Sequence, residues 1–256
     1  MQAQVAAAAG PSPNAVDDAE LEDITMAEVE RGWLVGPIEP DDLTRDLGCW
    51  LPSRRFGIRQ GKKLRAVDDY SASLVNCALA AQETIDPADV DHIAANVRAH
   101  MDALSAPSVL RPSQSPFHGM VRHPEVEGDS LVGRLWDLKQ ASWQLARAPG
   151  HASLTVIAVW SARHGRMQYF KQLALPFGAS ASVLGFNWTA TALSTALCGH
   201  LRVGSTNFYD DFCVLERVEL AASAAEATEG ALRYLGVGPE GAPRFLGAAG
   251  TPRRGV

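Results

Sequence analysis

The sequence predicts an α+β fold in which an antiparallel sheet is backed by helices. Three short segments, 131–137, 201–209 and 212–216, are rich in the β-branched and aromatic residues that favour strands, and the last two flank a tight turn. Two longer segments, 179–200 and 220–235, are rich in alanine and end at or near a glycine, which is typical of helices. We therefore expect the three strands to form one sheet with the two helices behind it.

Composition is that of a globular protein. The 256 residues are 46% apolar and 20% charged, and no apolar run reaches the roughly 18 residues that a membrane span requires. We expect no membrane partner. The alanine-rich start lacks the basic and long apolar regions of a secretory signal, which favours an intracellular protein of the cytoplasm or nucleus, not a secreted one.

Cysteine spacing and net charge argue against three further classes of protein. The four cysteines lack Cys-x-x-Cys spacing, which argues against a zinc site and a disulfide framework. The formal net charge of −6 argues against a generic nucleic-acid binder, because attraction to phosphate normally comes from basic surface. Distribution of charge matters more than its sum.

The chain ends are predicted to be disordered. Residues 1–24 combine small residues with an acidic cluster and have few large apolar groups, so we expect a disordered tail there. A short helix from Thr25 to Glu30 would begin the ordered region. Residues 251–256 are expected to form a second disordered end.

A basic segment follows at residues 53–65, with six cations and no acid. Gly57 and Gly61 indicate a hairpin or a flexible loop between short strands, and residues 65–70 are predicted to be a strand. A charged loop that merely faces water is the alternative.

The middle of the chain alternates helices, loops and strands. We expect helices at 86–104 and 139–147, strands at 153–160 and 166–173, and a possible last strand at 244–247. Residues 105–129 have the composition of a long loop, in which His118 and His123 are interpreted as surface residues because no matching metal-ligand spacing accompanies them.

Three carboxylates are the candidate chemical groups. Asp210 and Asp211 lie in the turn between the last two predicted strands, and Asp137 ends the first strand. Taken singly, Asp210 and Asp211 could be turn-forming residues, and Asp137 could be the N-cap of the next helix. If all three converge, they could hold two hard cations, which need several oxygen ligands at one point.

Taken in order, four motifs resemble the fingers and palm of reverse transcriptases, over roughly residues 26–247. Phe208-Tyr209-Asp210-Asp211 is similar to the family's aromatic-x-Asp-Asp motif, and the run that begins at Asp137 is similar to its first aspartate motif. The other two motifs are Leu-Pro-Phe-Gly at 175–178 and Arg-Ala-Val-Asp-Asp-Tyr at 65–70, followed by Asn76. The form of the motifs is most similar to eukaryotic retrotransposon members.

The resemblance implies a fold and an activity. It implies a palm at 131–250, a partial, fingers-like region at 25–130 and a thumb that is lacking or truncated. The implied activity is RNA-directed DNA polymerase with Mg²⁺ or Mn²⁺ as cofactor. The implied metal ligands are Asp137 and Asp210, with Asp211 adjacent and a contribution from the Leu138 carbonyl.

The resemblance also implies nucleotide-binding residues and partners. Arg65, with Lys62 or Lys63, would neutralise the triphosphate, and Phe177 and Gly178 would shape the pocket under the new base pair. Where the family usually has an aromatic residue that excludes ribonucleotides, this chain has Ser142. The partners would be an RNA or DNA template with primer, a dNTP, and further domains of a retroelement polyprotein.

Two other functions remain as alternatives. One is a catalytically decayed retroelement fragment that keeps the fold, with or without nucleic-acid binding, which the serine at position 142 and the missing thumb favour. A metal-dependent phosphohydrolase could use the same three acids, but it explains neither the basic segment nor the Pro-Phe-Gly turn.

Overall fold

The structure, a computed structural model, describes residues 10–78, 84, 90–105, 131–138 and 140–237. The α-helices in chain order are α1 (Ala15–Glu30), α2 (Pro40–Leu47), α3 (Val75–Ala78), α4 (Val90–Ser105), α5 (Ser180–His200) and α6 (Ala221–Tyr234). The strands are β1 (Leu34–Ile38), β2 (Pro52–Gln60), β3 (Lys63–Asp69), β4 (Leu131–Asp137), β5 (Val156–Ser161), β6 (Arg166–Gln172), β7 (Gly204–Phe208) and β8 (Asp211–Arg217). The fold is α+β, as predicted.

The chain divides into two compact units. Of the described residues, the first unit takes 10–78, 84, 138, 140–189 and 233–237, and the second takes 90–105, 131–137 and 190–232. The units interleave along the chain, whereas we expected two consecutive regions, 25–130 and 131–250. Strand pairing explains the difference, because β5 and β6 pair with strands that precede residue 70. A hydrophobic pattern predicts a strand but does not predict its distant partner.

The first unit contains a mixed five-stranded sheet in the order β1-β6-β5-β2-β3. Strand β2 pairs with β5 in parallel, and the other neighbours are antiparallel. Helix α1 packs against this sheet, and the core between them includes Leu21, Trp33, Ile157 and Phe170, each at most 4% exposed. Burying a side chain of this size contributes about 1.5–3 kcal/mol, so this core holds the unit together.

Helix α1 corrects the prediction of a disordered tail. Residues 15–24 belong to this helix, and the side chain of Asn14 caps it by accepting a hydrogen bond from Val16 N. The acidic cluster is ordered because it has partners: Arg59 pairs with Asp17 and Glu20. Residues 1–9 and 251–256, which complete the two predicted disordered ends, lie outside the described residues.

The predicted helix at 139–147 is wrong for the residues that the structure describes. Ala141–Gln144 forms a single 3₁₀ turn, and the backbone beyond it pairs with the segment after β6, where Ala146 bridges Ala174. The amide of Leu175 donates to Leu145 O. This tertiary pairing competes with local helix propensity and wins.

The second unit contains the three-stranded antiparallel sheet that the sequence predicted, in the order β4-β8-β7. Helix α4 contacts β7 and β8. The later part of α5 is joined to β7, since Ser194 Oγ donates to Ser205 O at 3.1 Å. The first turns of α6 and residues of β4 and β8 line a cavity of about 300 Å³.

The other predicted elements agree with the structure where it describes them. The basic segment forms the β2–β3 hairpin, and the strands predicted at 153–160 and 166–173 are β5 and β6. The start of the predicted 86–104 helix, the loop with His118 and His123, and the possible strand at 244–247 lie outside the described residues. Among the described helices, none has the length and apolar character needed to span a membrane.

Candidate functional site

The β7–β8 hairpin presents two adjacent carboxylates at its tip. Phe208 pairs with Asp211, so Tyr209 and Asp210 form a two-residue loop. Tyr209 has a φ of 51°, in the left-handed region, and its ring meets the ring of Phe208 edge-on at 4.9 Å. Asp210 is half-buried and Asp211 is exposed. The predicted hairpin is therefore confirmed, with Asp210 in the loop and Asp211 at the start of β8.

Strand β4 brings the third predicted carboxylate to the same end of the sheet. Asp137 is the residue of β4 that pairs with Asp211 of β8, next to the pair formed by Trp136 and Phe212. Residues directly opposite in an antiparallel pair have Cβ atoms about 4.5–5.5 Å apart, and like charges there repel. A bound cation would remove that repulsion.

The donor set is oxygen-rich, which suits Mg²⁺ or Mn²⁺. The structure describes the backbone of Asp137 but not its side chain. Among the described side chains, no three His, Cys, Asp or Glu residues form a group that could hold a metal ion. Leu138, the predicted carbonyl ligand, directly follows β4 and has a buried side chain.

The basic hairpin of β2 and β3 is only partly available to a ligand. Lys62, Lys63 and Arg65 are exposed and have no ion pair with another described residue. Arg59 is paired with α1, and Arg55 is buried. Four of the six cations thus remain as candidates for a polyphosphate: these three and Arg54, whose guanidinium lies 5.9 Å from the Phe56 ring centroid.

Arg55 belongs to a buried network that the sequence analysis missed. Its Nε and Nη2 atoms donate to the two carboxylate oxygens of Asp68 at 2.7 and 3.0 Å, and Nη1 donates to Glu28. Gln172 Nε2 also donates to Asp68, and Tyr70 OH donates to Gln172 Oε1, both at 2.6 Å. Arg55 and Asp68 are opposite each other in the β2–β3 register, because they are equally many residues from the turn of this hairpin. Opposite charges at matching distances from a predicted turn could have indicated the pair.

The pKa shifts in this network follow from burial and charge. Burial raises the pKa of Glu28, although the neighbouring Arg55 opposes the shift. Burial alone would lower the pKa of Arg55, but the charges of Asp68 and Glu28 outweigh it and the pKa is raised. Burial also raises the pKa of Tyr70 well above its ordinary value. Arg55 therefore stays a cation and Tyr70 a neutral phenol, which agrees with the hydrogen bonds that each donates in this network.

The Pro-Phe-Gly turn lies against the end of β3. Gly178 has a φ of +99°, and a Cβ placed on it would lie 2.8 Å from Asp68 O. Asn76 bonds the end of the turn: its Nδ2 donates to Gly178 O at 3.2 Å and its Oδ1 accepts from Ser180 N at 2.9 Å. Phe177 is 56% exposed. Two motifs separated by about a hundred residues are therefore joined.

Ser142 lies in the 3₁₀ turn that follows the first aspartate motif. It is half-buried, and its carbonyl accepts from Leu145 N. The neighbouring Trp143 is 9% exposed and stacks on Trp33 at 5.3 Å. Trp143 thus forms part of the first unit's core.

The predicted site residues fall into two sets. Asp137, Asp210 and Asp211 lie together in the second unit, while the other predicted residues belong to the first unit: Lys62, Lys63, Arg65, Leu138, Ser142, Phe177 and Gly178. Within the first unit, β3, Asn76 and the Pro-Phe-Gly turn are joined.

A scan against models of protein families finds no match to the chain, and a search of curated proteins finds none either.

Proposed function

We propose that this chain is the fingers and palm core of an RNA-directed DNA polymerase of a retroelement. The observation that carries the proposal is the register of the three-stranded sheet, in which Asp137 pairs with Asp211 and Asp210 occupies the adjoining loop. Asp137 and Asp210, which are 73 positions apart along the chain, thus lie at the same end of one sheet together with Asp211. The ordered set of four motifs supplies the second support.

In the proposed reaction the 3′-oxygen of a primer forms a bond to the α-phosphorus of a dNTP, and the bond to the β-phosphate oxygen breaks. Two Mg²⁺ or Mn²⁺ ions would stabilise the charge on the attacking and leaving oxygens. Asp137 and Asp210 would be the main ligands, with Asp211 beside them and the Leu138 carbonyl as a further oxygen. Pyrophosphate and the extended primer are the products.

The first unit would hold the nucleotide. Lys62, Lys63 and Arg65 are exposed cations that would neutralise the triphosphate, since guanidinium and ammonium groups suit phosphate oxygens. Phe177 and Gly178 would lie under the new base pair. The template would be RNA or DNA with a primer, and an enzyme of this kind would act inside the cell.

Primer extension tests the proposal. Poly(rA) with an oligo(dT) primer, dTTP and either Mg²⁺ or Mn²⁺ should yield extended primer. Asp210→Asn and Asp137→Asn should each lower the rate of extension by about 100-fold or more. Each substitution removes a negatively charged ligand of the metal ions that would stabilise the transition state. Asp41→Asn, at an exposed position in the first turn of α2, is the matched control and should extend at the wild-type rate.

Two outcomes would reject this function. Extension that persists in Asp210→Asn or Asp137→Asn protein would show that these carboxylates do not hold the metals. Salt-dependent binding of the template and primer with no extension under either metal would instead support the alternative, a decayed fragment that keeps the fold and the nucleic-acid surface.

A further inference from the structure

We infer that Asn76 is a positioning residue, which sets the nucleotide pocket by clamping the Pro-Phe-Gly turn onto the end of β3. This inference rests on the proposed function, because it concerns the same pocket. It goes further in assigning the pocket's shape to a residue that would touch neither the metals nor the triphosphate. We call the contacts of this side chain with Gly178 and Ser180 the Asn76 clamp.

The clamp is bidentate. One carboxamide donates from Nδ2 to Gly178 O at 3.2 Å and accepts at Oδ1 from Ser180 N at 2.9 Å. The donating and accepting ends of a planar amide thus bond two backbone groups on either side of Ala179, which is fully buried. A single hydrogen bond would let the turn rotate, but two bonds from one planar group fix its orientation as well as its distance.

Asn76 is itself held by its surroundings. Its backbone amide donates to Tyr70 O at 3.1 Å, and Nδ2 also donates to Ser71 Oγ at 3.1 Å. Tyr70 is 1% exposed and bonded to Gln172 in the buried network. The clamp therefore connects the turn to the rigid part of the first unit.

The clamp also provides a hydrogen-bond acceptor for the first amide of helix α5. The first amides of a helix have no partner within the helix, and a side-chain oxygen normally accepts from one of them. Ser180 is the first residue of α5, and the oxygen that accepts from its amide comes from Asn76, 104 residues earlier in the chain. A cap supplied from a distant segment ties the position of the helix start to that segment.

The contact at Gly178 leaves little freedom for a different arrangement. The glycine has a left-handed φ of +99°, and a Cβ at this position would lie only 2.8 Å from Asp68 O. The turn thus passes directly over the backbone of β3. Phe177, 56% exposed on the outer side of the turn, takes its direction from this packing. In the proposed polymerase Phe177 and Gly178 meet the incoming nucleotide, so the clamp would set its binding geometry.

Two substitutions of Asn76 separate positioning from folding. Asn76→Ala removes both bonds. Asn76→Asp keeps the oxygen that accepts from Ser180 N and adds a negative charge at a helix N-terminus, which is favourable, but it loses the donor to Gly178 O. Asn76→Asp should therefore keep the wild-type melting temperature and still release the turn. Asp41→Asn, at the exposed start of α2, is the control.

Steady-state primer extension gives the first readout. Both Asn76 variants should raise the KM for dTTP about tenfold, with kcat within about threefold of wild type, because binding geometry is lost and the metal ligands are kept. Asp41→Asn should have wild-type KM and kcat. A KM within twofold of wild type in both Asn76 variants would overturn the inference.

Hydrogen exchange gives a readout that does not depend on activity. The Ser180 amide should exchange at least about tenfold faster in Asn76→Ala than in wild type and should stay protected in Asn76→Asp. Unchanged exchange in Asn76→Ala would show that there is no clamp. A wild-type protein that extends no primer would remove the proposed function and the role in nucleotide binding with it, and the exchange rates would still decide whether Asn76 holds the turn.

Discussion

Arg55 lies between two carboxylates, Asp68 and Glu28, and the three buried groups together carry a formal charge of −1. Asp68 makes the two-point contact with the guanidinium and accepts a further bond from Gln172. Glu28 therefore carries the surplus negative charge of the network. Burial raises the pKa of Glu28 in spite of the neighbouring arginine. The two acids should therefore respond differently to neutralisation.

Asp68→Asn should destabilise the protein by about 3–5 kcal/mol, because it leaves Arg55 without its main partner in a buried site. Urea denaturation measures the change in the free energy of unfolding. The control is Asp41→Asn, exposed on α2, for which we expect a change within about 0.5 kcal/mol. A decrease for Asp68→Asn as small as the control's would show that the network does not stabilise the fold.

Glu28→Gln should gain stability relative to wild type as the pH rises. The pKa of Glu28 is raised above 4.5 in the folded protein, so the folded state holds this proton more tightly than the unfolded chain does. The stabilising contribution of Glu28 is therefore complete below 4.5 and is lost as the pH rises through the folded pKa.

Urea denaturation of wild type and Glu28→Gln at pH 4 and pH 7 checks this sign. The two proteins should differ least at pH 4, where glutamine resembles the protonated acid. At pH 7 the variant should be at least as stable as wild type. A variant that becomes less stable relative to wild type between pH 4 and 7 would mean that the ion pair with Arg55 outweighs burial.

At the scale of elements, the β7–β8 loop holds a bulky residue in an unfavourable backbone region. Tyr209 has a φ of 51°, which costs a side-chain-bearing residue about 1–2 kcal/mol and glycine very little. The edge-on contact with Phe208 offsets part of that cost. In the proposed polymerase the loop geometry would position a metal ligand, because Asp210 is the second residue of the loop.

Tyr209→Gly should be more stable than Tyr209→Ala by about 1 kcal/mol, because both variants lack the aromatic ring and only glycine is free of the left-handed penalty. Thermal denaturation of the pair measures the difference. In ordinary extended backbone the order is reversed, since glycine is the more flexible residue in the unfolded chain. Equal stability, or a more stable alanine variant, would contradict the left-handed conformation.

Elements were predictable from the sequence where their cause is local. The β2–β3 and β7–β8 hairpins form around Gly61 and around the Tyr209–Asp210 loop, and both were expected from strand-forming residues on each side of a turn. Helix α1 before residue 25 and the turn at 141–144 were not expected. In both cases the deciding partners are distant: Arg59 for the acids of α1, and residues 173–175 for the segment after the turn.

At the scale of the whole molecule, the formal charge of −6 conceals an uneven distribution. Three acids of α1 are paired with arginines, Asp17 and Glu20 with Arg59 and Asp23 with Arg163. By contrast, Lys62, Lys63 and Arg65 are exposed without a described ion-pair partner. Attraction of phosphate should therefore come from one hairpin, not from the protein's overall charge.

A triple variant, Lys62→Ala with Lys63→Ala and Arg65→Ala, should weaken binding of a template and primer. It should also reduce the slope of log K against log[salt] by about 0.9 for each phosphate that the variant no longer neutralises. The matched control removes three arginines that are each paired with an acid: Arg45, Arg163 and Arg166. Both variants lose three positive charges, so equal slopes in filter binding between 50 and 200 mM salt would argue against a local phosphate site.

The sequence by itself determined the α+β class, the strands and helices that local pattern specifies, and the three acids at strand ends and turn. Only the tertiary structure decided which strands share a sheet, that Arg55 is buried, and that Asn76 donates to Gly178 O. The physical reason is the distance along the sequence over which each interaction acts. Propensity and turn chemistry act over a few residues. Strand pairing, burial and ion pairing also depend on groups from 13 to more than a hundred positions apart, which meet only once the chain has folded.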